Sequence, residues 1–187
     1  MERTTDKRER LIEAGRRLLH RQGYRNTTLA DLADESGVPL GNVYYYFHSK
    51  RDLLDAVAGR LCDDFAVRVG RIEATHATPR ERLVAFLDSV IANRATYAQK
   101  GCPVGSLCQE LNKDGQEGRE AMARAMATRS DWAAAQFRAM GCGASDQLGM
   151  SFTASVQGII LMANAMRDAD LISVQAALMK QWIEQLQ

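Results

Sequence analysis

The fold of this 187-residue chain is indicated by one stretch, residues 26–50, which reads NTTLADLADESGVPLGNVYYYFHSK. Thr28 is a favourable helix N-cap, and Asp31 three positions later forms a near capping box, so a helix is predicted to begin here. Gly37 permits the tight turn that ends this helix, and Pro39 is a favourable start for the next one. Two short helices joined by a tight turn are the layout of a helix-turn-helix.

Four consecutive aromatic residues, Tyr44 to Phe47, lie on the second of these helices. Successive residues of a helix are about 100° apart, so four in a row cannot all face inward. Val43 and Phe47 are the predicted core pair, which leaves at least one or two tyrosines exposed. A structural aromatic cluster is the alternative interpretation. Exposed tyrosines beside Lys50 favour a DNA-binding face, because their hydroxyls bind phosphates and their rings contact thymine methyl groups.

Other residues of the stretch fit contacts to the DNA backbone. Gly41 has no side chain to hold its helix away from the groove. Thr27 and Thr28 present hydroxyls and helix-terminal amides, which suit a phosphate. Lys50 adds a cation at the start of the next helix, and His48 is a further candidate phosphate contact.

The charge of the chain gives only weak support for a nucleic-acid partner. The net charge is +1; residues 1–50 carry nine basic and seven acidic residues, and the remaining 137 carry 15 and 16. The first segment is therefore at +2 and the rest at −1, which mildly favours a DNA-facing head. The composition, 46% hydrophobic and 25% charged, is that of an ordinary globular protein with a sizeable core.

The chain shows no targeting or membrane-spanning pattern. Residues 1–13 are densely charged, so no secretory signal is predicted. The longest apolar stretch, around residues 159–163, is far shorter than the roughly 20 residues that span a bilayer. The four cysteines are therefore expected to be reduced thiols, and the expected location is the cytoplasm.

The rest of the chain is predicted to be almost entirely helical, because apolar residues recur at helical spacing and strand alternation is absent. Pro39, Pro79 and Pro103 all stand at plausible helix starts, and Ser49 and Thr78 are predicted N-caps. An all-α fold of about nine helices follows. Besides the two short helices, they are expected at about residues 6–22, 50–74, 79–100, 105–111, 119–140, 146–166 and 170–186, with a polar loop at 112–118.

Residues 4–55 resemble the DNA-binding head of the TetR family of transcriptional regulators. The matching residues are Gly23-Tyr24, Thr27-Thr28, Leu32-Ala33, Gly37-Val38, Gly41-Asn42-Val43-Tyr44-Tyr45-Tyr46-Phe47, Ser49-Lys50 and Leu53-Leu54. The resemblance implies a three-helix DNA-binding domain at residues 1–50 and a helical ligand-binding and dimerisation domain at residues 51–187. It further implies a homodimeric repressor that leaves its palindromic operator when a small molecule binds the body.

Carried over by position, the family's DNA contacts fall around the turn. They are Thr28, Pro39, Leu40, Gly41, Asn42, Tyr44, Tyr45, His48 and Lys50, to which the phosphate argument above adds Thr27. Many members have Lys, Ser or Thr where this chain has Pro39 and Leu40. Leu40 cannot donate to a base, so any readout there would be an apolar contact with a thymine methyl.

The body contains the mixture of apolar, aromatic and a few polar residues that lines small-molecule pockets. The candidates are Phe65, Phe86, Tyr97, Met122, Met126, Trp132, Phe137, Phe152 and Gln157. Helical apolar stripes are usually plain core, so each of these residues fits that interpretation as well. The resemblance, rather than the spacing, places an effector pocket among them.

The last two predicted helices are the candidate dimer interface. Small residues allow close helix approach, and large apolar residues add buried area in a twofold contact. The first of the two helices carries Gly149, Ala154, Gly158 and Ala165, and the second carries Leu178, Trp182 and Ile183. Packing within one chain is the alternative, and the family pattern favours the dimer.

Residues 101–108, GCPVGSLC, are the most individual segment of the body. Cys102 and Cys108 are candidate redox residues, because a helix N-terminus stabilises a thiolate. An inert buried thiol is the alternative. The segment is similar to that of family members that sense electrophiles through a cysteine, so a thiol-sensing regulator is an alternative function. The spacing of Cys102 and Cys108 fits no common pair of zinc ligands, and no metal site is predicted.

An enzyme is not predicted. The chain has three histidines, of which His20 and His48 belong to the head. It has no nucleophile elbow, paired metal ligands or glycine-rich phosphate loop, and no cofactor is expected. A further alternative to a ligand-released repressor is an activator that keeps its DNA affinity when small molecules are added.

Overall fold

The computed structural model describes residues 4–113 and 118–186, and within these ranges the protein has ten α-helices and no strand, which confirms the all-α prediction. The helices are α1 (Thr4–Gln22), α2 (Leu29–Ser36), α3 (Leu40–Tyr46), α4 (Lys50–Thr75), α5 (Pro79–Ala92), α6 (Arg94–Lys100), α7 (Pro103–Lys113), α8 (Arg119–Ala139), α9 (Ser145–Met166) and α10 (Asp170–Gln185).

The tenth helix arises because the predicted helix at residues 79–100 is divided at Asn93. The Asn93 backbone N–H donates to the Val90 carbonyl at 3.1 Å, and its side-chain amide donates to the Ser89 carbonyl at 2.8 Å. Asparagine offers the backbone these local alternatives to the helical ladder, which is why it often ends helices. Part of the predicted polar loop is helical, since α7 includes residues 112 and 113, and residues 114–117 lie outside the described ranges.

The described residues form two compact units. The first consists of residues up to Asp63 together with Pro103–Ala125, and the second consists of Asp64–Cys102 together with residues from Met126 onward. Helices α4 and α8 therefore contribute residues to both units. The predicted functional boundary at residue 50 stays a prediction, because compactness measures packing and not function.

In the first unit, α1 packs against α2 and α7, and α2 packs against α3. Each of these helices directs an apolar stripe inward, as the helical spacing predicts. Burying a large aliphatic or aromatic side chain contributes about 1.5–3 kcal/mol, so this core holds the short helices in place. Its fully or almost fully buried side chains include Leu11, Leu18, Leu32, Val43, Phe47, Leu53 and Leu54.

In the second unit, α10 packs against α5 and α9, and α6 packs against α9. The core contains a series of aromatic rings in edge or tilted contact, which we call the aromatic chain. Its members are Phe65, Phe86, Trp132, Phe137, Phe152 and Trp182. Centroid separations run from 5.3 Å for Phe86 and Trp132 to 6.2 Å for Phe137 and Phe152. Arg80 closes the end of α10, because its guanidinium donates to the carbonyls of Ile183 and Leu186, both at 2.6 Å. Such bonds satisfy carbonyl groups that the helix end leaves open.

By length and composition alone, α9 could cross a membrane, with a mean hydropathy of 1.3 over its most apolar window. One third of that window is buried within the protein, and core helices of globular proteins meet the same criterion. The finding is weak evidence for a membrane span.

Candidate DNA-binding surface

The start of α2 is closed by the predicted capping box. The Asp31 carboxylate accepts the Thr28 backbone N–H at 2.8 Å, and the Thr28 hydroxyl oxygen accepts the Asp31 backbone N–H at 3.1 Å. The bond from the Thr28 backbone N–H, followed by that from its hydroxyl, lowers the pKa of Asp31 below its usual value. Thr28 is exposed, so its hydroxyl lies at the positive end of α2, where a phosphate is favoured.

Thr27 lies inside the protein rather than on this surface. Its side chain is fully buried, and its hydroxyl donates to the Gly23 carbonyl at 2.6 Å. Its backbone N–H donates to the Tyr24 carbonyl. The prediction that the Thr27 hydroxyl binds a phosphate is therefore not supported by its position. Thr27 instead stabilises the turn between α1 and α2, because a buried hydroxyl needs an internal partner.

Helix α3 has one buried side and one exposed side. Val43 is fully buried and Phe47 is 2% exposed, which confirms the predicted core pair. Tyr44 and Tyr45 are 50% and 73% exposed, respectively. The exposed set on and beside this helix consists of Pro39, Leu40, Gly41, Asn42, Tyr44, Tyr45 and His48. These are the positions predicted to face DNA, and we call them the α3 face.

Gly41 is not required by packing within the protein. A Cβ built at this position meets no atom within 4 Å, and the residue has ordinary helical geometry. Glycine in a helix is less favourable than alanine by up to roughly 1 kcal/mol, and Gly41 is the second residue of α3. The fold therefore gives no reason for glycine here, whereas a close approach of the helix to another molecule does.

Lys50 faces the turn between α1 and α2. Its ammonium donates to the carbonyls of Tyr24 at 2.8 Å and Arg25 at 3.2 Å, and it lies 4.4 Å from the centroid of the Tyr24 ring. An ammonium carries three N–H donors, so these two bonds are compatible with a further bond to a phosphate oxygen. Sequence reasoning found the cation but not its partners in the turn.

The loop between α3 and α4 is fixed by a second reciprocal cap. The Asp52 carboxylate accepts the backbone N–H groups of His48 and Ser49, each at 3.0 Å. The Ser49 hydroxyl oxygen accepts the Asp52 N–H at 3.1 Å, which confirms Ser49 as the predicted N-cap. His48 is thereby held at the edge of the α3 face.

Several arginines of the head are paired with carboxylates instead of forming an open basic patch. Arg17 and Arg21 bind Glu35 at 2.9 and 3.1 Å, and the hydrogen bond from Arg17 is the main reason that the Glu35 pKa is lowered. Arg16 binds Glu13 at 2.6 Å and lowers the pKa of that carboxyl. The small positive net charge of residues 1–50 is therefore not concentrated on these arginines. Affinity for DNA then depends on specific contacts.

The residues predicted to line an effector pocket do not form one set. Phe65, Phe86, Phe137 and Phe152 are buried in the core of the second unit, and Tyr97 and Trp132 are partly buried against that core. Met126 and Gln157 are half-buried in the same unit. Met122 is fully buried in the first unit.

Sequence reasoning missed two polar residues beside this aromatic chain. The Trp132 indole N–H donates to the Glu73 carboxylate at 2.8 Å, and the Gln136 amide donates to the same oxygen at 3.4 Å. Gln136 is 5% exposed, and its Oε1 has no hydrogen-bond partner among the residues that the structure describes. The available signal was the spacing of Trp132 and Gln136, since residues four apart share one face of a helix.

The two candidate redox cysteines lie in different surroundings. Cys102 directly precedes α7 and packs against the core of the second unit. Cys108 is the sixth residue of α7, and its thiol contacts the Met122 carbonyl at 3.5 Å within the first unit. Cys102 therefore occupies the helix start that the redox hypothesis requires, and Cys108 does not. All four cysteines are half-buried.

A capped helix-turn-helix with an exposed second helix is the layout of a class of DNA-binding proteins. A profile of bacterial regulatory proteins of the tetR family matches residues 11–57. A profile of the LmrA/YxaF-like transcriptional regulator C-terminal domain matches residues 79–177, more than half of the chain. The chain belongs to the TetR family of transcriptional regulators and is not an enzyme.

Relatives match over nearly the whole chain. The HTH-type transcriptional regulator LmrA of Bacillus subtilis is 27% identical over 181 residues, covering 92% of this chain and 95% of LmrA. An uncharacterized HTH-type transcriptional regulator in the lacX 3′ region of Lactococcus lactis is 26% identical, covering 96% of this chain and 94% of its own length.

Solved structures show the same fold. A TetR-family transcriptional regulator from Agrobacterium tumefaciens superposes with a TM-score of 0.84 at 21% identity, covering 97% of this chain and 98% of that one. The reduced form of NemR from E. coli superposes with a TM-score of 0.83 at 21% identity, covering 94% and 96%.

Proposed function

We propose that this protein is a homodimeric repressor that binds a palindromic operator through α3 and leaves it when a small molecule binds the body. The α3 face is the observation that carries the proposal. Leu40, Tyr44 and Tyr45 are exposed to solvent although their side chains are large and largely apolar. A side chain at Gly41 would contact no described part of the protein. Exposed aromatic residues around an unobstructed glycine suit a helix that enters a major groove.

Each residue of the α3 face has a distinct role in this proposal. Tyr44 and Tyr45 donate hydroxyl hydrogen bonds to phosphates and place ring faces near thymine methyl groups. Asn42 is the one side-chain amide on the face, and an amide pairs with adenine in a bidentate manner. Lys50 binds a phosphate on one side. On the other side the Thr28 hydroxyl, whose proton goes to the Asp31 carboxylate in the DNA-free protein, turns to donate to a phosphate. Pro39, Leu40, Gly41 and His48 complete the contact, the first two through apolar surface.

The proposed dimer forms through α9 and α10. These helices border a groove of about 730 Å³, lined by Ser151, Ser155, Gly158, Ile159, Met162, Leu171, Gln175, Leu178, Met179 and Trp182. Met150, Leu161, Met166 and Val174 are also more than half exposed on the same two helices. Large exposed apolar side chains gathered on two neighbouring helices are typical of a protein-binding site. A second copy of the chain presents the same surface and satisfies twofold symmetry.

The proposed effector binds beside the aromatic chain of the second unit. Aromatic faces there adjoin the Glu73 carboxylate and the unpaired Gln136 oxygen, and small-molecule sites combine apolar walls with a few such polar groups. Tyr97, Met126 and Gln157 are the further candidates. An effector releases the operator only by binding the DNA-free conformation more tightly than the DNA-bound one. We further infer a cytoplasmic location, where a transcriptional regulator meets chromosomal DNA.

Selection of bound sequences from random duplex DNA tests the proposal. The purified protein, at a stated salt concentration, is expected to enrich an inverted repeat whose half-sites lie about one helical turn or more apart. The enriched duplex then serves to screen small molecules and thiol reagents for release. Binding that is weak, salt-sensitive and indifferent to sequence would contradict the assignment of the α3 face.

A further inference from the structure

The turn between α1 and α2 is held by a carboxylate from α7. Glu110 accepts the backbone N–H of Tyr24 at 2.9 Å on one oxygen and that of Arg25 at 2.8 Å on the other. Bonds to an ionised acceptor are roughly twice as strong as those between neutral groups. Two amides just beyond the end of α1 are thus satisfied by a residue 85 to 86 positions away.

The same two residues are held from the opposite side by Lys50. The Lys50 ammonium donates to the carbonyls of Tyr24 and Arg25. The backbone N–H groups of this turn therefore bind the Glu110 carboxylate, and its carbonyl groups bind the Lys50 cation. Gly23, immediately before the turn, has φ of +79°, and a Cβ there would lie 2.6 Å from a Glu110 oxygen. Glycine at this position both permits the backbone conformation and leaves room for the carboxylate.

Helix α7 belongs to the same compact unit as α1, α2 and α3, although its sequence lies within the match to the C-terminal domain at residues 79–177. The turn that it holds continues through buried Thr27 to Thr28, the exposed N-cap of α2. Glu110, a residue of the sequence that matches the C-terminal domain, therefore holds the segment that leads into α2 and α3.

We propose that Glu110 is a positioning residue for operator binding: it holds the Tyr24–Arg25 turn so that Thr28 and Lys50 keep the arrangement that the operator requires. This inference rests on the proposed DNA-binding function. A displacement of α7 by about 1 Å away from the turn takes the bonds from the Tyr24 and Arg25 N–H groups to Glu110 beyond hydrogen-bonding distance. Movement of α7 consequently lowers operator affinity without any contact between α7 and DNA.

The test compares two isosteric charge removals in the full-length protein. Glu110→Gln replaces one acceptor oxygen by an NH2 group, and Glu120→Gln, at the exposed start of α8, is the matched control. Each variant is titrated with an operator duplex selected by the wild-type protein and with a scrambled duplex of equal length. Amide hydrogen exchange at Tyr24 and Arg25 reports on the two bonds themselves.

Glu110→Gln is expected to speed exchange at both amides and to weaken operator binding about tenfold, the effect of losing one charge-assisted hydrogen bond. Affinity for the scrambled duplex is expected to fall as well, because the proposed partners of Thr28 and Lys50 are phosphates, which every duplex offers. Glu120→Gln is expected to behave as the wild type in operator binding and in exchange at the two amides.

Several outcomes overturn the proposal. They are wild-type operator affinity or wild-type exchange in Glu110→Gln, an equal loss in Glu120→Gln, or faster amide exchange throughout the described helices of Glu110→Gln, which indicates a merely structural role. If Glu110→Gln does not fold, Glu110→Asp replaces it under the same criteria, since it keeps the charge but shortens the reach. Failure of the wild-type protein to select any sequence instead overturns the proposed function and this inference together.

Discussion

Val43 is fully buried, whereas Tyr45, two residues later on the same helix, exposes 73% of its surface. A two-residue step rotates about 200° around a helix, so one short helix presents a core side and an exposed side, the one that we propose binds DNA. Substitutions on the exposed side can therefore alter operator binding without altering the core.

Tyr45→Phe combined with Lys50→Ala is expected to weaken operator binding and to lower the salt dependence of log K by about 1, because one phosphate contact through a cation is lost. Titration of the operator at several salt concentrations measures both quantities. Thermal unfolding provides the control, since Lys50 also binds the Tyr24 and Arg25 carbonyls. Wild-type affinity and slope in the double variant would show that the contact assignment is wrong.

Gly41→Ala is expected to change stability and function in opposite directions. Its Cβ meets no protein atom within 4 Å, so the free energy of unfolding should rise by about 0.5–1 kcal/mol through helix propensity. Operator affinity should fall, because the methyl group holds α3 away from the groove. Chemical denaturation and operator titration of the same sample check the two effects. Unchanged operator affinity would exclude a close approach at Gly41.

Leu178→Glu is expected to convert the proposed dimer into a monomer, because it places a charge in the groove between α9 and α10. Val67→Glu, on α4, is the matched control: both residues are 54% exposed, and Val67 does not line that groove. Light scattering of both variants after size-exclusion chromatography gives their masses. Monomers in both cases, or a dimer of Leu178→Glu, would place the interface elsewhere.

Acid should destabilise the fold in part through the Glu81 carboxylate at the start of α5. It accepts the Thr78 backbone N–H at 2.9 Å, and this bond, followed by that from the Thr78 hydroxyl, lowers the pKa of Glu81 below the ordinary 4.5. Ionised Glu81 therefore stabilises the folded state above pH 4.5, and this contribution is lost as pH falls through the lowered pKa. The melting temperature of Glu81→Gln should fall less steeply than that of the wild type below this pH. Parallel curves would contradict the role of the ionised cap.

The local features of the fold were predictable because their determinants are adjacent in sequence. Both capping boxes, Thr28 with Asp31 and Thr78 with Glu81, have the three-residue spacing that the geometry of a helix start dictates. The break at Asn93 was missed, because a single asparagine within an apolar helical pattern gives only a weak signal against a continuous helix.

The candidate site was predictable on the α3 face and much less so elsewhere. The exposure of Tyr44 and Tyr45 follows from helical periodicity, whereas the burial of Thr27 depends on how the preceding turn folds over it. Glu110 gave no signal, since its partners are 85 and 86 residues away and any surface glutamate looks the same in sequence. Contacts of that range require the tertiary structure.

The two tryptophans of the chain both lie in the second unit. Trp132 donates its indole N–H to Glu73 within the aromatic chain, and Trp182 lines the groove between α9 and α10. Their ultraviolet emission depends on the polarity around each indole, so replacing either one by phenylalanine leaves a single intrinsic fluorophore. A protein retaining only Trp132 then reports optically on the proposed effector binding, and one retaining only Trp182 reports on the proposed subunit association.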